Sequence, residues 1–168
     1  DIFFGNDKME VTDTDIYKSD QAFTQGQMIT VTGIDNLNEW WIDPDFFEKQ
    51  SDGALKFLPI NGDYRVTANA VLKYFSVMAL KDGKPAKLQD DGTGAIWAIG
   101  KGIGKPSVTS SEVGWEPSKA LCLAQVASKK YQLTLKAGET LKTSGDPEVI
   151  SFKFFHQNDW GGEFGNYA

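Results

Sequence analysis

The sequence predicts an all-β protein of two tandem β-sandwich domains, on three observations. Short segments rich in β-branched and aromatic residues recur along the chain, turn residues separate them, and the two halves share part of their pattern. The turns include "INGD", "KDGK", "DDGTG" and "SGDP". The predicted strands cover residues 28–34, 63–71, 72–80, 95–100, 130–138 and 150–157.

The shared pattern is a partial internal repeat. A glycine and a tyrosine have the same spacing in both halves, at Gly33 and Tyr64 and again at Gly100 and Tyr131. In each half a similar strand follows, "LKYF" in the first and "FKFF" in the second. The second half is longer because of "AGETLKTSGDPE", which predicts an elongated hairpin. Repetition of this kind indicates two related units.

We therefore predict a first β-sandwich over residues 1–88 and a second over residues 89–168. The residues before 28 are expected to supply leading strands of the first. Helical periodicity is scarce, and the best candidate is residues 43–50, where Asp43 is a candidate N-cap before a proline.

Composition limits the function. The net charge of −6 and pI near 4.8 disfavour nucleic acid as a partner, because phosphates are repelled by an acidic surface.

The one cysteine, Cys122, cannot form an internal disulfide and is expected to be a small buried apolar residue. The one histidine, His156, argues against most histidine-based metal and triad chemistry. We expect no cofactor and no metal, and no stretch predicts direct membrane insertion. The first residue, Asp1, suggests a trimmed form of a longer protein.

Acidic residues leave two alternatives open. The stretches 43–45 ("DPD") and 90–94 ("DDGTG") carry oxygen ligands of the kind calcium prefers, but their spacing favours ordinary turns. Acidic pairs also flank two tryptophans, with Glu112 and Glu116 around Trp115, and Asp159 and Glu163 around the other. Paired carboxylates suit glycoside hydrolysis, so hydrolysis stays an alternative to binding.

The five tryptophans differ in their surroundings. Trp97 alternates with apolar neighbours, which predicts a place in the core. Trp115, in "EVGWEPSK", and Trp160, in "NDWGGEFG", lie in predicted loops with glycine and acidic neighbours. An exposed indole offers a flat surface to the apolar face of a sugar ring. Of Trp40 and Trp41, at most one is expected to be such a platform.

The second half resembles the glycogen-binding carbohydrate-binding module of the AMP-activated kinase beta subunit. The stretches that carry the resemblance are "IWAIGKGIG", "GWEPSK", "YQLTLKAGE" and "FKFFHQNDW". The resemblance implies immunoglobulin-like β-sandwiches of the early-set class. It matches Trp115 and Trp160 to the two ring platforms and Lys153 to the lysine that bonds sugar hydroxyls. Gln157 and Asp159 are added as supporting polar groups.

Residues 28–168 also resemble the tandem modules of SusE/SusF-type glycan-binding lipoproteins. That resemblance implies the outer-membrane surface of a Gram-negative bacterium, a lipid anchor on a segment not present here, and glycan-uptake proteins as partners. The first sandwich has Lys73 in "LKYF" but no following tryptophan, so we expect it to be structural.

Together these observations predict non-catalytic polysaccharide binding, with Trp115 and Trp160 forming an angled cradle for a curved glucan. The alternatives are a glycoside hydrolase, or an accessory domain of one, and a structural spacer of a surface protein.

Overall fold

The computed structural model describes residues 1–144 and 150–164, and these form an almost entirely β structure. Two short 3-10 turns cover Leu37–Glu39 and Pro117–Lys119, and one helical turn, α1, covers Val108–Ser111. None of the helices in these ranges has the length and hydropathy of a membrane span. The strands, in chain order, are β1 (Phe3–Phe4), β2 (Asp7–Lys8), β3 (Glu10–Asp13), β4 (Ile16–Phe23), β5 (Met28–Ile29), β6 (Val31–Thr32), β7 (Phe47–Lys49), β8 (Leu55–Phe57), β9 (Gly62–Asn69), β10 (Tyr74–Lys81), β11 (Lys84–Pro85), β12 (Trp97–Gly104), β13 (Glu112–Gly114), β14 (Leu121–Cys122), β15 (Ala124–Ala127), β16 (Lys130–Gln132), β17 (Ser151–Phe155) and β18 (Glu163–Phe164).

The first domain packs a five-stranded antiparallel sheet, β11-β10-β9-β4-β3, against two small sheets, β2-β1-β6 and β5-β8-β7. Phenylalanines from opposite layers meet in its core. Phe4 contacts Phe75 at a ring-centroid distance of 5.3 Å, and Phe23 stacks on Phe57 at 4.8 Å. Such pairs stabilise a core beyond their buried area, by about 0.5–1.5 kcal/mol each.

The second domain is organised around the glycine-containing strand β12. It pairs with β13 and β14 along one edge and with β17 along the other, and β18 extends the sheet beyond β17. Trp97, Ile99 and Phe155 are each at most 1% exposed in its apolar cluster. The predicted core position of Trp97 and the predicted burial of Cys122 are thereby confirmed.

The all-β sandwich fold and its two units are confirmed, and the residues before 28 do supply strands of the first sheet system. "KDGK" is the predicted turn, because Asp82 and Gly83 both have positive φ between β10 and β11. Part of the predicted elongated hairpin, residues 145–149, lies outside the described residues.

Two predictions about local structure hold only in part. The helical candidate at 43–50 forms a single turn, with Phe47 N donating to Asp43 O, and β7 begins at Phe47. The Asp43 side chain accepts a hydrogen bond from Asp45 N, which favours a turn. The Asp43 and Asp45 carboxylates both bond Lys105, which is distant in sequence. The internal repeat also fails in detail, because Lys73 is a turn residue with φ 54° whereas Lys153 lies within β17.

A hairpin of the second domain packs on the first. Ala124, at the start of β15, belongs to the apolar core of the first domain. The Gln125 carbonyl accepts a hydrogen bond from Ile60 N at 2.9 Å, and the Val126 carbonyl accepts one from the Gln25 side chain at 2.8 Å. Shared apolar burial and backbone hydrogen bonds therefore fix the two domains to each other.

The same interface buries three charges. Lys105, just after β12, places its ammonium 2.7 Å from an Asp43 carboxylate oxygen and 3.1 Å from an Asp45 oxygen. All three side chains are at most 2% exposed. Asp45 also accepts from the backbone N–H and the hydroxyl of Thr134. Burial raises the pKa of the Asp43 carboxyl above its ordinary value, although Lys105 opposes that shift.

We predict that Lys105→Met lowers the free energy of unfolding by about 3–5 kcal/mol, because it leaves two buried carboxylates without their cation. The measurement is chemical denaturation followed by tryptophan fluorescence. Lys73→Met is the matched control, since Lys73 forms an exposed pair with Glu39 at 2.7 Å and such pairs contribute about 0–1 kcal/mol. Equal losses in the two variants would contradict the assignment.

We predict that the Cys122 thiol is unreactive in the native protein. It is 6% exposed, and burial raises its pKa to about 12, so very little thiolate exists at pH 8. Ellman's reagent should titrate no thiol under native conditions and one thiol per chain in guanidinium. Rapid native modification would show that β14 is not packed as described.

Candidate functional site

The two loop tryptophans meet on the surface of the second domain. Trp115 and Trp160 have ring centroids 6.3 Å apart and ring planes 30° apart. Trp115 is 40% exposed and Trp160 is 47% exposed, whereas Trp40 and Trp97 are buried. We call Trp115 and Trp160 the aromatic pair. Two residues 45 positions apart in sequence thus form one exposed apolar surface. Contiguous exposed apolar surface of this kind is typical of a binding site.

Trp115 directly follows β13, whose position is fixed from both ends. Glu112, its first residue, accepts a hydrogen bond from Gly102 N on β12 at 2.9 Å. Gly114, its last residue, pairs with Gly100 and has φ 58°, a conformation that suits glycine. The chain therefore turns sharply just before Trp115 and leaves the sheet.

Trp160 lies in the loop of the β17–β18 hairpin. His156 N donates to Gly162 O at 2.7 Å across the base of this loop, and the His156 carbonyl accepts from Leu88 N at 2.8 Å. Gly161 and Gly162 both have positive φ, which lets the chain reverse there. The Trp160 ring contacts buried Phe155 edge to face at 5.7 Å. The core thus supports the ring from below.

Gln157 and Asp159 both bind the backbone of Trp160. The Gln157 amide nitrogen donates to the Trp160 carbonyl, and the Trp160 N–H donates to Asp159 Oδ1. These bonds position the loop, which is a role that the sequence analysis did not assign. The second carboxylate oxygen of exposed Asp159 is the part of this side chain that can accept from a ligand.

Lys153 is exposed and lies on the same face of β17 as Phe155. Its register partner is Ile99 of β12, next to Gly100, whose partner on the other edge of β12 is Gly114. Lys153 and the strand that leads to Trp115 therefore lie on opposite edges of β12.

The face predicted for the neighbouring phenylalanines is wrong. Ile150, Phe152 and Phe154 alternate along the sequence, which predicts that Phe152 and Phe154 anchor the core, but Phe154 is 36% exposed and the buried residue is Phe155. Phe152 is half-buried at the cluster edge. Gly100 allows close pairing of the two strands, because a Cβ at this position would lie 2.3 Å from the Phe152 Cα. The absence of a side chain there lets β17 approach β12.

The expected angled cradle is not the observed geometry. Two rings 30° apart are close to parallel, and a sugar ring held between them would need about 7–8 Å, twice a carbon–carbon contact distance. At 6.3 Å the indoles contact each other. The exposed outer surface of the pair, not a gap between its rings, is what a ligand can reach.

Two of the acidic residues that flank the aromatic pair bond other groups of the protein. Glu112 bonds a backbone N–H of β12, and Glu116 forms an exposed ion pair with Lys119 at 3.6 Å. The Glu163 side chain lies outside what the structure describes. Within the described ranges, no group of three or more acidic, histidine or cysteine side chains could hold a metal ion.

The other acidic stretches and Lys73 have structural partners. Asp91 Oδ1 accepts from the N–H and hydroxyl of Thr93, as expected for a turn, and these bonds lower the pKa of Asp91. Lys73 pairs with Glu39 on the first domain. Trp41, half-buried, donates its indole N–H to Glu139 across the domain interface at 2.6 Å.

The stacked geometry can be tested by circular dichroism. Two indoles at 6.3 Å couple electronically, so we predict a paired positive and negative band in the far ultraviolet. Trp115→Phe and Trp160→Phe should each remove it, because either substitution breaks the same couple. Trp41→Phe, which changes an indole outside the pair, serves as control. A couplet that survives either single substitution would contradict the stacking.

Comparison with known proteins gives two family matches. The family model described as Domain of unknown function (DUF5121) matches residues 91–167. No curated protein and no solved structure matches the chain. The family model described as Domain of unknown function (DUF5125) matches residues 1–88, more than half of the chain, and the protein belongs to this family.

Proposed function

We propose that the protein binds polysaccharide without cleaving it, through the exposed surface of the aromatic pair. The observation that carries the proposal is that two distant loop tryptophans meet, half exposed, on a support of strands and backbone hydrogen bonds. A soluble protein does not need to expose two stacked indoles for its own stability. Their presence there is best explained by a ligand with a flat apolar face.

The chemistry of the surroundings favours a neutral glycan. Lys153 supplies donors and Asp159 an acceptor beside an apolar surface, which is the combination that a pyranose with axial hydrogens and equatorial hydroxyls requires. The net charge of −6 disfavours polyanionic ligands. Sugar stacking on the pair should contribute on the order of 1 kcal/mol. An open surface of this kind binds weakly, and several copies on one cell would compensate by avidity.

We further propose that the protein acts at the outer-membrane surface of a Gram-negative bacterium, beside glycan-uptake proteins. The support is the resemblance of residues 28–168 to SusE/SusF-type proteins. Immunogold labelling of intact cells that express the full-length protein tests this location separately from glycan binding. Label confined to the cell interior would contradict it.

Affinity electrophoresis tests the binding itself. Wild-type protein should be retarded in gels that contain at least one polysaccharide of a panel of α-glucans, β-glucans, mannans and xylans. Trp160→Ala should migrate as in a gel without polysaccharide, because it removes the ring that contacts both Trp115 and the solvent. Trp160→Phe, which keeps a smaller flat ring, should be retarded to an intermediate degree.

Phe3→Ala is the matched control, because Phe3 is an exposed aromatic residue, 37% accessible, on the other domain. It should migrate like wild type. Undiminished retardation of Trp160→Ala would contradict the site. Reducing-sugar release from the retained polysaccharide, abolished in Asp159→Asn, would favour the hydrolase alternative, and no retardation on any polysaccharide would favour a structural spacer.

A further inference from the structure

A cleft of about 380 Å³ lies between the two domains. The aromatic pair does not line it. One wall is the outward face of β10, which carries Tyr74 and Ser76. The opposite wall comes from α1 and the residues around β14 in the second domain. Lys105 and Asp43 lie at its base. The volume falls in the lower part of the range of about 300–1,000 Å³ that ligand pockets occupy.

Two polar groups that line this cleft have hydrogen-bonding capacity that the described residues do not use. Tyr74 is 9% exposed, and its hydroxyl has no partner among the described residues. The Lys105 ammonium has three N–H donors, and only two have acceptors in the described ranges, one on Asp43 and one on Asp45. Both groups can therefore form a further hydrogen bond to a ligand that enters the cleft.

The charges around the cleft favour a neutral ligand. Lys105 is balanced by two carboxylates, and Lys119, on the rim, pairs with Glu116. An anion would meet the excess negative charge of Asp43 and Asp45, and a cation would meet the Lys105 ammonium. The tyrosine hydroxyl stays protonated, because burial, with the nearby Asp43 carboxylate, raises the pKa of Tyr74 well above its ordinary value. It can therefore both donate and accept.

Hydroxyl groups and apolar surface alternate along the walls. Ser76, Ser110, Ser111 and Ser118 line the cleft together with Trp97 and Met78. Ser76 has no hydrogen-bond partner among the described residues, and it follows Tyr74 by two positions, on the same face of β10. This mixture matches a small molecule with hydroxyls around its edge and apolar faces.

We propose that the interdomain cleft is a second binding site, specific for a neutral mono- or disaccharide unit. Tyr74, Ser76 and Lys105 bond its hydroxyls. The site needs both domains, since β10 and Lys105 come from different ones, whereas the aromatic pair belongs to the second domain alone. Neither Trp115 nor Trp160 lines the cleft.

The test is ligand-observed NMR titration of the full chain with glucose, galactose, maltose and cellobiose as probes. Wild type should bind at least one of them, and Tyr74→Phe should weaken binding about fivefold or more, because one hydroxyl is lost. Tyr17→Phe, a tyrosine of β4 that does not line the cleft, is the matched control and should bind as wild type. Ser76→Ala provides a second variant if Tyr74→Phe does not fold, and it should weaken binding in the same direction.

Trp160→Ala distinguishes the two sites. It should retain the part of probe binding that Tyr74→Phe removes, even if it also leaves polysaccharide retention unchanged and so contradicts the proposed function. Three results would overturn the cleft proposal: no probe binds, binding is lost in Trp160→Ala and retained in Tyr74→Phe, or inorganic phosphate displaces the sugar.

Discussion

The buried contact of Lys105 with Asp43 and Asp45 is the interaction on which the rest of the structure depends. Lys105 directly follows β12, and β12 pairs with both β13 and β17. Trp115 leaves the first of these strands, and the Trp160 loop leaves the second. An ionic contact with the first domain therefore fixes the end of the strand that supports both parts of the candidate site. Asp45 extends the contact to Thr134, so one carboxylate binds two segments of the second domain.

The energetics of this contact explain why it favours one arrangement of the domains. Removing two carboxylates and an ammonium from water is costly, and the cost is recovered only when the charges meet at hydrogen-bonding distance. Any other orientation would leave buried charges unpaired. The raised pKa of Asp43 shows that part of the desolvation cost remains even in the observed arrangement. We interpret the contact as a determinant of domain geometry more than of net stability.

The sequence was informative where a signal is local. Alternation and turn residues predicted the strands, "KDGK" predicted a turn, and Trp97 among apolar neighbours predicted a core ring. It was silent where a partner is distant. The turn predicted for "DPD" forms, but nothing near it in sequence indicates that Lys105 pairs with both carboxylates. The alternating pattern of "FKFF" likewise predicted the wrong core residue, because Phe155 and not Phe154 is buried.

At the candidate site, too, local features could be predicted from the sequence and contacts between distant residues could not. Sequence reasoning selected Trp115 and Trp160 as loop residues, and the structure brings them into contact, but the angle between the rings required the path of both loops. Gln157 and Asp159 were chosen as groups that bond sugars, and the structure shows them bonded to the backbone of Trp160. That support orders the loop before any ligand arrives, which lowers the entropic cost of binding.

The central claim is that the aromatic pair is the surface that contacts polysaccharide. The most direct measurement is an NMR titration of the five indole N–H signals with oligosaccharides cut from a retained polysaccharide. The account predicts that the signals of Trp115 and Trp160 move together and saturate at one concentration, while that of buried Trp40 stays in place. Saturable binding that leaves the Trp115 and Trp160 signals unmoved would contradict it.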